Sequence, residues 1–174
     1  MPIRPGRTTR QIERPFTRQS RRNPRKSYVV GVPFPKTHQF EMGTRGSYNL
    51  AVYGLSKQHI QIRDNALEAA RIVATKYLEK TLGTNFFMKI LVFPHHVIRE
   101  HSIAQGAGAD RFSQGMRRNF GHPIGTAVQA KKGQRLIMLQ VNKENFEVAK
   151  KALKKIGLKI STPVKIVAEP LGGN

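Results

Sequence analysis

"IRDNALEAARIVATKYLEKTLG", residues 62–83, is the stretch on which the fold turns. Its apolar residues Ala66, Leu67, Ala70, Val73, Ala74, Tyr77 and Leu78 recur at the spacing that lines one side of an α-helix. Gly83 supplies the stop. The opposite side carries Asp64, Glu68, Arg71, Thr75 and Glu79, a mixed set that suits solvent better than a polyanion. The stretch therefore predicts a core helix from about Ile62 to Leu82, and its neighbours decide what that helix covers.

Those neighbours have the short, β-branched and aromatic composition of strands. Upstream are "SYVVGVPFP" (27–35), ended by two prolines, and "YNLAVYG" (48–54). Downstream come "NFFMKILVFP" (85–94), stopped by Pro94, then "IGTAVQ" (124–129) and "RLIMLQV" (135–141) around the turn "KKGQ" (131–134), where Gly133 gives the backbone its freedom. A second helix is expected from an Asn142 N-cap to Gly157. Phe146, Ala149, Ala152, Leu153 and Ile156 form its buried stripe, and Lys150, Lys151, Lys154 and Lys155 lie toward the C-terminal end of its dipole. "LKISTPVKIVAE" (158–169) closes the chain as a strand broken or edged at Pro163. This order implies an α+β fold, a two-layer sandwich with two helices on one face of a mixed sheet. The expected organisation is a basic extended arm (1–26), a single domain (27–169) with a flexible loop (101–120), and a short tail (170–174).

Charge dominates the composition. The 174 residues hold 31 Lys and Arg against 10 Asp and Glu, a net +21. A chain this basic is best accommodated beside a polyanion, and nucleic acid is the commonest one. An anionic membrane would call for an amphipathic anchor, and no such stretch is present. Without cysteine there is no disulfide framework, thiolate chemistry or cysteine zinc site. No apolar h-region or span of ~20 apolar residues occurs, so a cytoplasmic location is expected.

The arm concentrates this charge. Residues 1–26 contain eight arginines, Arg4, Arg7, Arg10, Arg14, Arg18, Arg21, Arg22 and Arg25, with Lys26, against the single acid Glu13. Their spacing would stripe a helix, but Pro5, Gly6, Pro15 and Pro24 interrupt it, and a helix-interior proline costs ~3 kcal/mol. An arm ordered by RNA fits better. Arginine also suits phosphate through its planar fork.

The aperiodic stretch 95–123 holds the second candidate site. In "GAGADRFSQGMRR" (106–118) the glycine pattern fails as a dinucleotide fingerprint, because Arg111 stands where a third glycine is needed, and the Lys-Ser/Thr pair of a P-loop is missing. Gly106, Gly108 and Gly115 give mobility, Arg99, Arg111, Arg117 and Arg118 give charge, and Phe112 and Phe120 can stack on bases. His95 is a further RNA-contact candidate. His95, His96, Glu100, His101 and His122 do not make a convincing metal set, since adjacent histidines on a strand end point to opposite sides. A nuclease using His95 or His96 with a lysine, or a free-standing RNA chaperone, is the alternative, but the acids are too scattered for a two-metal site.

"QIRDNALEAARIVATKYLEK" (61–80), "KILVFPHHVIRE" (89–100), "GAGADRFSQGMRRNFGHPIGTAVQ" (106–129) and "RPGR" (4–7) closely resemble the large-subunit ribosomal protein family called L-sixteen in bacteria and L-ten-e in archaea, over about residues 4–168. The spelling of the glycine-rich stretch and of the arm resembles the archaeal branch. The resemblance implies an α/β-hammerhead fold and a structural role without catalysis or cofactor. It also implies binding of large-subunit rRNA near the small 5S-type rRNA, neighbouring ribosomal proteins, and a place beside the aminoacyl and peptidyl tRNA sites. On it, the arm residues with His95 and Arg99 would meet rRNA, and Gly106, Gly108, Arg111, Gly115, Arg117 and Arg118 would form the tRNA-proximal loop. The chain departs from the family in an extra basic segment, "QSRRNPRKS" (19–27), which bears on the path of the arm.

Overall fold

The computed structural model describes residues 4–12, 29–101, 106–111, 113 and 115–171. Eight strands and two helices follow one another along it: β1 Glu41–Gly43, β2 Leu50–Ser56, β3 Ile60–Arg63, α1 Asp64–Leu82, β4 Phe87–Ile90, β5 His96–Glu100, β6 His122–Ala130, β7 Arg135–Val141, α2 Phe146–Gly157 and β8 Val164–Pro170. Short 3-10 turns occupy Gly6–Thr9, Ala109–Arg111 and Lys143–Asn145.

The α+β class is as expected, but the single mixed sheet is not. Two separate sheets form, one of five strands in the order β1-β4-β7-β2-β8 and one of three in the order β3-β6-β5. Every pairing is antiparallel. The turn at 131–134 is where it was expected, yet the strands it joins do not pair: β6 belongs to the small sheet and β7 to the large one. Ser56, at the end of β2, ties this junction together. Its N–H donates to Gln134 O (3.0 Å) and its carbonyl accepts from Gly133 N–H (2.8 Å).

One apolar core serves both helices. Leu67, Ala70, Ala74 and Leu78 of α1 meet Ala149, Ala152, Leu153 and Ile156 of α2, along with Val52, Met88 and Leu139 of the large sheet. α1 packs most extensively on α2 and touches β3 and β6, whereas α2 reaches β2, β7 and β8. Gly83 does end α1, at φ +61°, with its N–H on Glu79 O.

Several expectations fail for local reasons. Residues 29–35 form no strand. Gly31 turns the chain at φ +76°, Pro33 and Pro35 have no N–H to give, and Val30 and Phe34 face solvent. Residues 27–28 lie outside the described residues. The helix begins at Asp64 because Ile60–Arg63 is itself a strand, and Asn142 precedes the 3-10 turn without a side-chain cap bond rather than capping α2. Pro163 does mark the start of β8, an edge strand paired with β2.

Candidate nucleic-acid interface

The first part of the arm is docked on the small sheet. Arg10 O accepts the Gln61 N–H at 2.9 Å, Thr9 O accepts Gln61 Nε2 at 2.9 Å, and Arg4 O accepts Arg63 Nη1 at 2.7 Å. Gln61 is buried, and these bonds, with Ser161 Oγ donating to Gln61 O at 2.8 Å, satisfy it. The arginines of this segment differ in what they have left to offer. Arg4 is ion-paired with Glu100, and Arg10 directs Nε and Nη2 to Ser161 O at 3.0 and 2.6 Å. Arg7 is exposed and meets no acid among the described residues. A carbonyl partner does not neutralise Arg10, so its charge stays available. Residues 6–9 make a 3-10 turn, so this stretch is not extended. Arg14, Arg18, Arg21, Arg22, Arg25 and Lys26 lie outside the described residues, as does the segment 19–27.

The loop after β5 presents its cations outward. Arg111 ends a 3-10 turn, and Arg111, Arg117 and Arg118 are all exposed without an acid partner among the described residues. Gly106, Gly108 and Gly115 sit at φ +126°, +76° and +57°, with nothing near enough to obstruct them. Arg118 also has positive φ, 56°, a conformation that costs an L-residue about 1–2 kcal/mol. Its carbonyl accepts the Gly121 N–H at 2.7 Å. Gly121 then returns the chain so tightly that a Cβ there would stand 2.5 Å from Glu100 C and 2.8 Å from His101 N. Phe120 is 71% exposed and Met116 74%, while Phe112 lies outside the described residues.

Between arm and loop, β5 and the residue before it carry the remaining candidates. His95 is exposed beside Phe93, ring centroids 4.7 Å apart, and Phe93 in turn stacks on Phe40 at 5.5 Å. His96 is half-buried, and that burial lowers its imidazole pKa. Arg99 is partly buried where two clefts adjoin, both lined by Thr8, Thr9, Ile98 and Arg99. One, of about 360 Å³, continues to His96, His101 and Phe120. The other, of about 450 Å³, continues to Phe34, Lys36, Arg63 and Asn65. These four come from separate, non-periodic positions, so nothing in the sequence groups them. Among the described residues no cluster of His, Asp or Glu could hold a metal ion, and no helix is long and apolar enough to cross a membrane.

Elsewhere several acids are already engaged. Glu68 takes Arg71 in a two-point contact at 2.6 and 3.0 Å, which occupies the polar face of α1. Glu41 holds Lys89 and Arg45, which push its carboxyl pKa down. Glu169 pairs with Arg135 and Glu147 with Lys150. On α2, Lys155 lies over the Tyr77 ring at 3.7 Å, while Lys151 and Lys154 are exposed. Among the described residues five acids are paired with protein cations, and with 31 Lys and Arg against 10 Asp and Glu the surplus of +21 has no counter-charge within the chain.

Residues 14–167 match the family described as ribosomal protein L16p/L10e. The chain belongs to that family. Curated relatives named large ribosomal subunit protein uL16 run almost end to end with it. That of Archaeoglobus fulgidus is 43% identical over 97% of this chain and 94% of its own length. That of Staphylothermus marinus is 45% identical over 98% and 96%, and that of Metallosphaera sedula 44% over 98% and 97%. All three organisms are archaea, in keeping with the branch that the glycine-rich stretch resembles. L16p/L10e proteins are structural ribosomal components rather than enzymes, and the nuclease alternative for His95 and His96 falls with that.

Proposed function

We propose that the chain is a structural component of the large subunit of the cytoplasmic ribosome. It binds large-subunit rRNA through its arm, His95 and Arg99, and lies beside the aminoacyl and peptidyl tRNA sites, where the loop 101–120 supports tRNA positioning. The observation that carries this is the set of exposed guanidinium groups without an acid partner, Arg7 on the docked arm and Arg111, Arg117 and Arg118 on the loop. Exposed cations left unneutralised are what a phosphate backbone requires, and such contacts set register more than sequence. Relatives named as large-subunit proteins give the setting. Its partners would be the rRNA, including the region near the 5S-type rRNA, neighbouring ribosomal proteins and tRNA. The small sheet β3-β6-β5, set off from the helix-covered large sheet, is compatible with a hammerhead architecture.

The test is location. In a density map of the intact large subunit, the chain should contact rRNA along residues 4–26, and residues 106–118 should point toward the tRNA sites. A chain that never sediments with large subunits, or a loop turned away from tRNA in that map, overturns the proposal.

A further inference from the structure

Arg99 and Asn65, which both line the larger cleft beside β5, each carry a buried polar atom with no hydrogen-bond partner among the described residues, Arg99 Nε and Asn65 Oδ1. The acids of the same wall cannot serve them. Glu100 is taken by Arg4, and Asp64 accepts the Lys36 N–H at 3.0 Å and the Asn65 N–H at 2.7 Å. Arg4, Lys36, Arg63 and Arg99 against Asp64 and Glu100 leave the lining net positive. The apolar part is Ile98, Ile124 and, at the rim, Phe34, whose ring is 85% exposed and stacks only loosely on His38, with centroids 6.4 Å apart. Gly125 keeps the floor open. Nothing lies within 4 Å of where its Cβ would stand, and its φ is one that any residue adopts.

We propose that this cleft receives a single extruded nucleotide of the bound RNA, with the base on Phe34. This rests on the rRNA binding proposed above and adds to it a site that reads a base rather than a backbone. The unmatched donor and acceptor call for a ligand that both gives and takes hydrogen bonds, and the exposed Phe34 ring at the rim adds a stacking face that a ribose-phosphate backbone would not use. A phosphate could accept from Arg99 Nε, but a phosphodiester has no hydrogen to give Asn65 Oδ1. A nucleobase has ring and carbonyl acceptors together with N–H donors, and its phosphate can meet Lys36 and Arg63. A cleft of about 450 Å³ also falls in the range of small-ligand pockets.

The test uses the full chain bound to transcribed large-subunit rRNA. Ultraviolet cross-linking followed by mass spectrometry should place a nucleotide adduct on the peptide carrying Phe34. Gly125→Leu fills the cleft and Phe34→Ala removes the stacking face. Neither changes charge, so each should weaken binding about tenfold, the worth of one stacked base, while leaving the salt dependence as it was. Phe34 is exposed, so its variant reports on binding even if Gly125→Leu misfolds. Parent-like affinity in Phe34→Ala, or an adduct joining Phe34 to a neighbouring protein within isolated large subunits, overturns the proposal. A parent chain that does not bind the transcript overturns the rRNA reading itself, and that is measured first.

Discussion

Replacing Arg7, Arg111, Arg117 and Arg118 together by glutamine removes four guanidinium groups that no carboxylate among the described residues partners. Each phosphate contact releases counterions and adds about 0.7–0.9 to the slope of log affinity against log salt. If all four meet phosphates, the slope should shrink by about 3. The matching control removes charge that is already spent: Arg71→Gln and Arg135→Gln break the pairs with Glu68 and Glu169. Since each of those substitutions also frees an acid, the control should lower affinity by long-range repulsion with little change in contact number. Filter binding of the full chain to transcribed large-subunit rRNA, titrated with potassium chloride, reads both slopes. A quadruple variant whose slope equals that of the parent, or of the control, refutes the assignment of arm and loop as the phosphate-contacting surface.

Ribosomes carrying Arg111→Ala, Arg117→Ala and Arg118→Ala should assemble but hold tRNA less well, measured by tRNA affinity of purified subunits; normal affinity removes the tRNA role. Gly121→Ala should cost about 1–3 kcal/mol in chemical denaturation, because φ +75° and the contact with the Glu100 carbonyl both oppose a Cβ. Leu67→Ala, on the buried stripe in the first turn of α1, should cost about 2–5 kcal/mol by the same method. For His96 the folded chain binds its proton more weakly than the unfolded chain does. Its contribution is therefore intact above the unfolded value near ~6.5 and is lost as the pH falls below it. His96→Gln should flatten the acid side of the stability profile, which thermal melts across that range will show.

The helices were legible because each buries one stripe at helical spacing, and α1 ends where Gly83 says it should. The small sheet was not. Ile60, Gln61 and Ile62 are buried in succession, so β3 shows no alternation and merges with the helix that follows. In β5 the adjacent Val97 and Ile98 are both buried, and a bulge between Ile98 and Arg99 shifts the register, which erases the period-two signal in a stretch that reads as loop. The turn at 131–134 was visible, but not the fact that its two strands diverge, since sheet membership depends on partners distant in sequence. Of the interface, the abundance of arginine was plain from composition. Which arginines are spent on Glu100 or Ser161 and which remain was not, because those partners lie 96 and 151 residues away.

That last separation has a consequence for the order of events on a translating ribosome. The Arg10 guanidinium cannot take its docked position until residue 161 has been added, because it is held by Ser161 O. At ~5–20 residues per second that guanidinium waits roughly 8–30 s for its partner. Throughout that interval it is free to be captured by any passing polyanion before the surface meant to hold it exists.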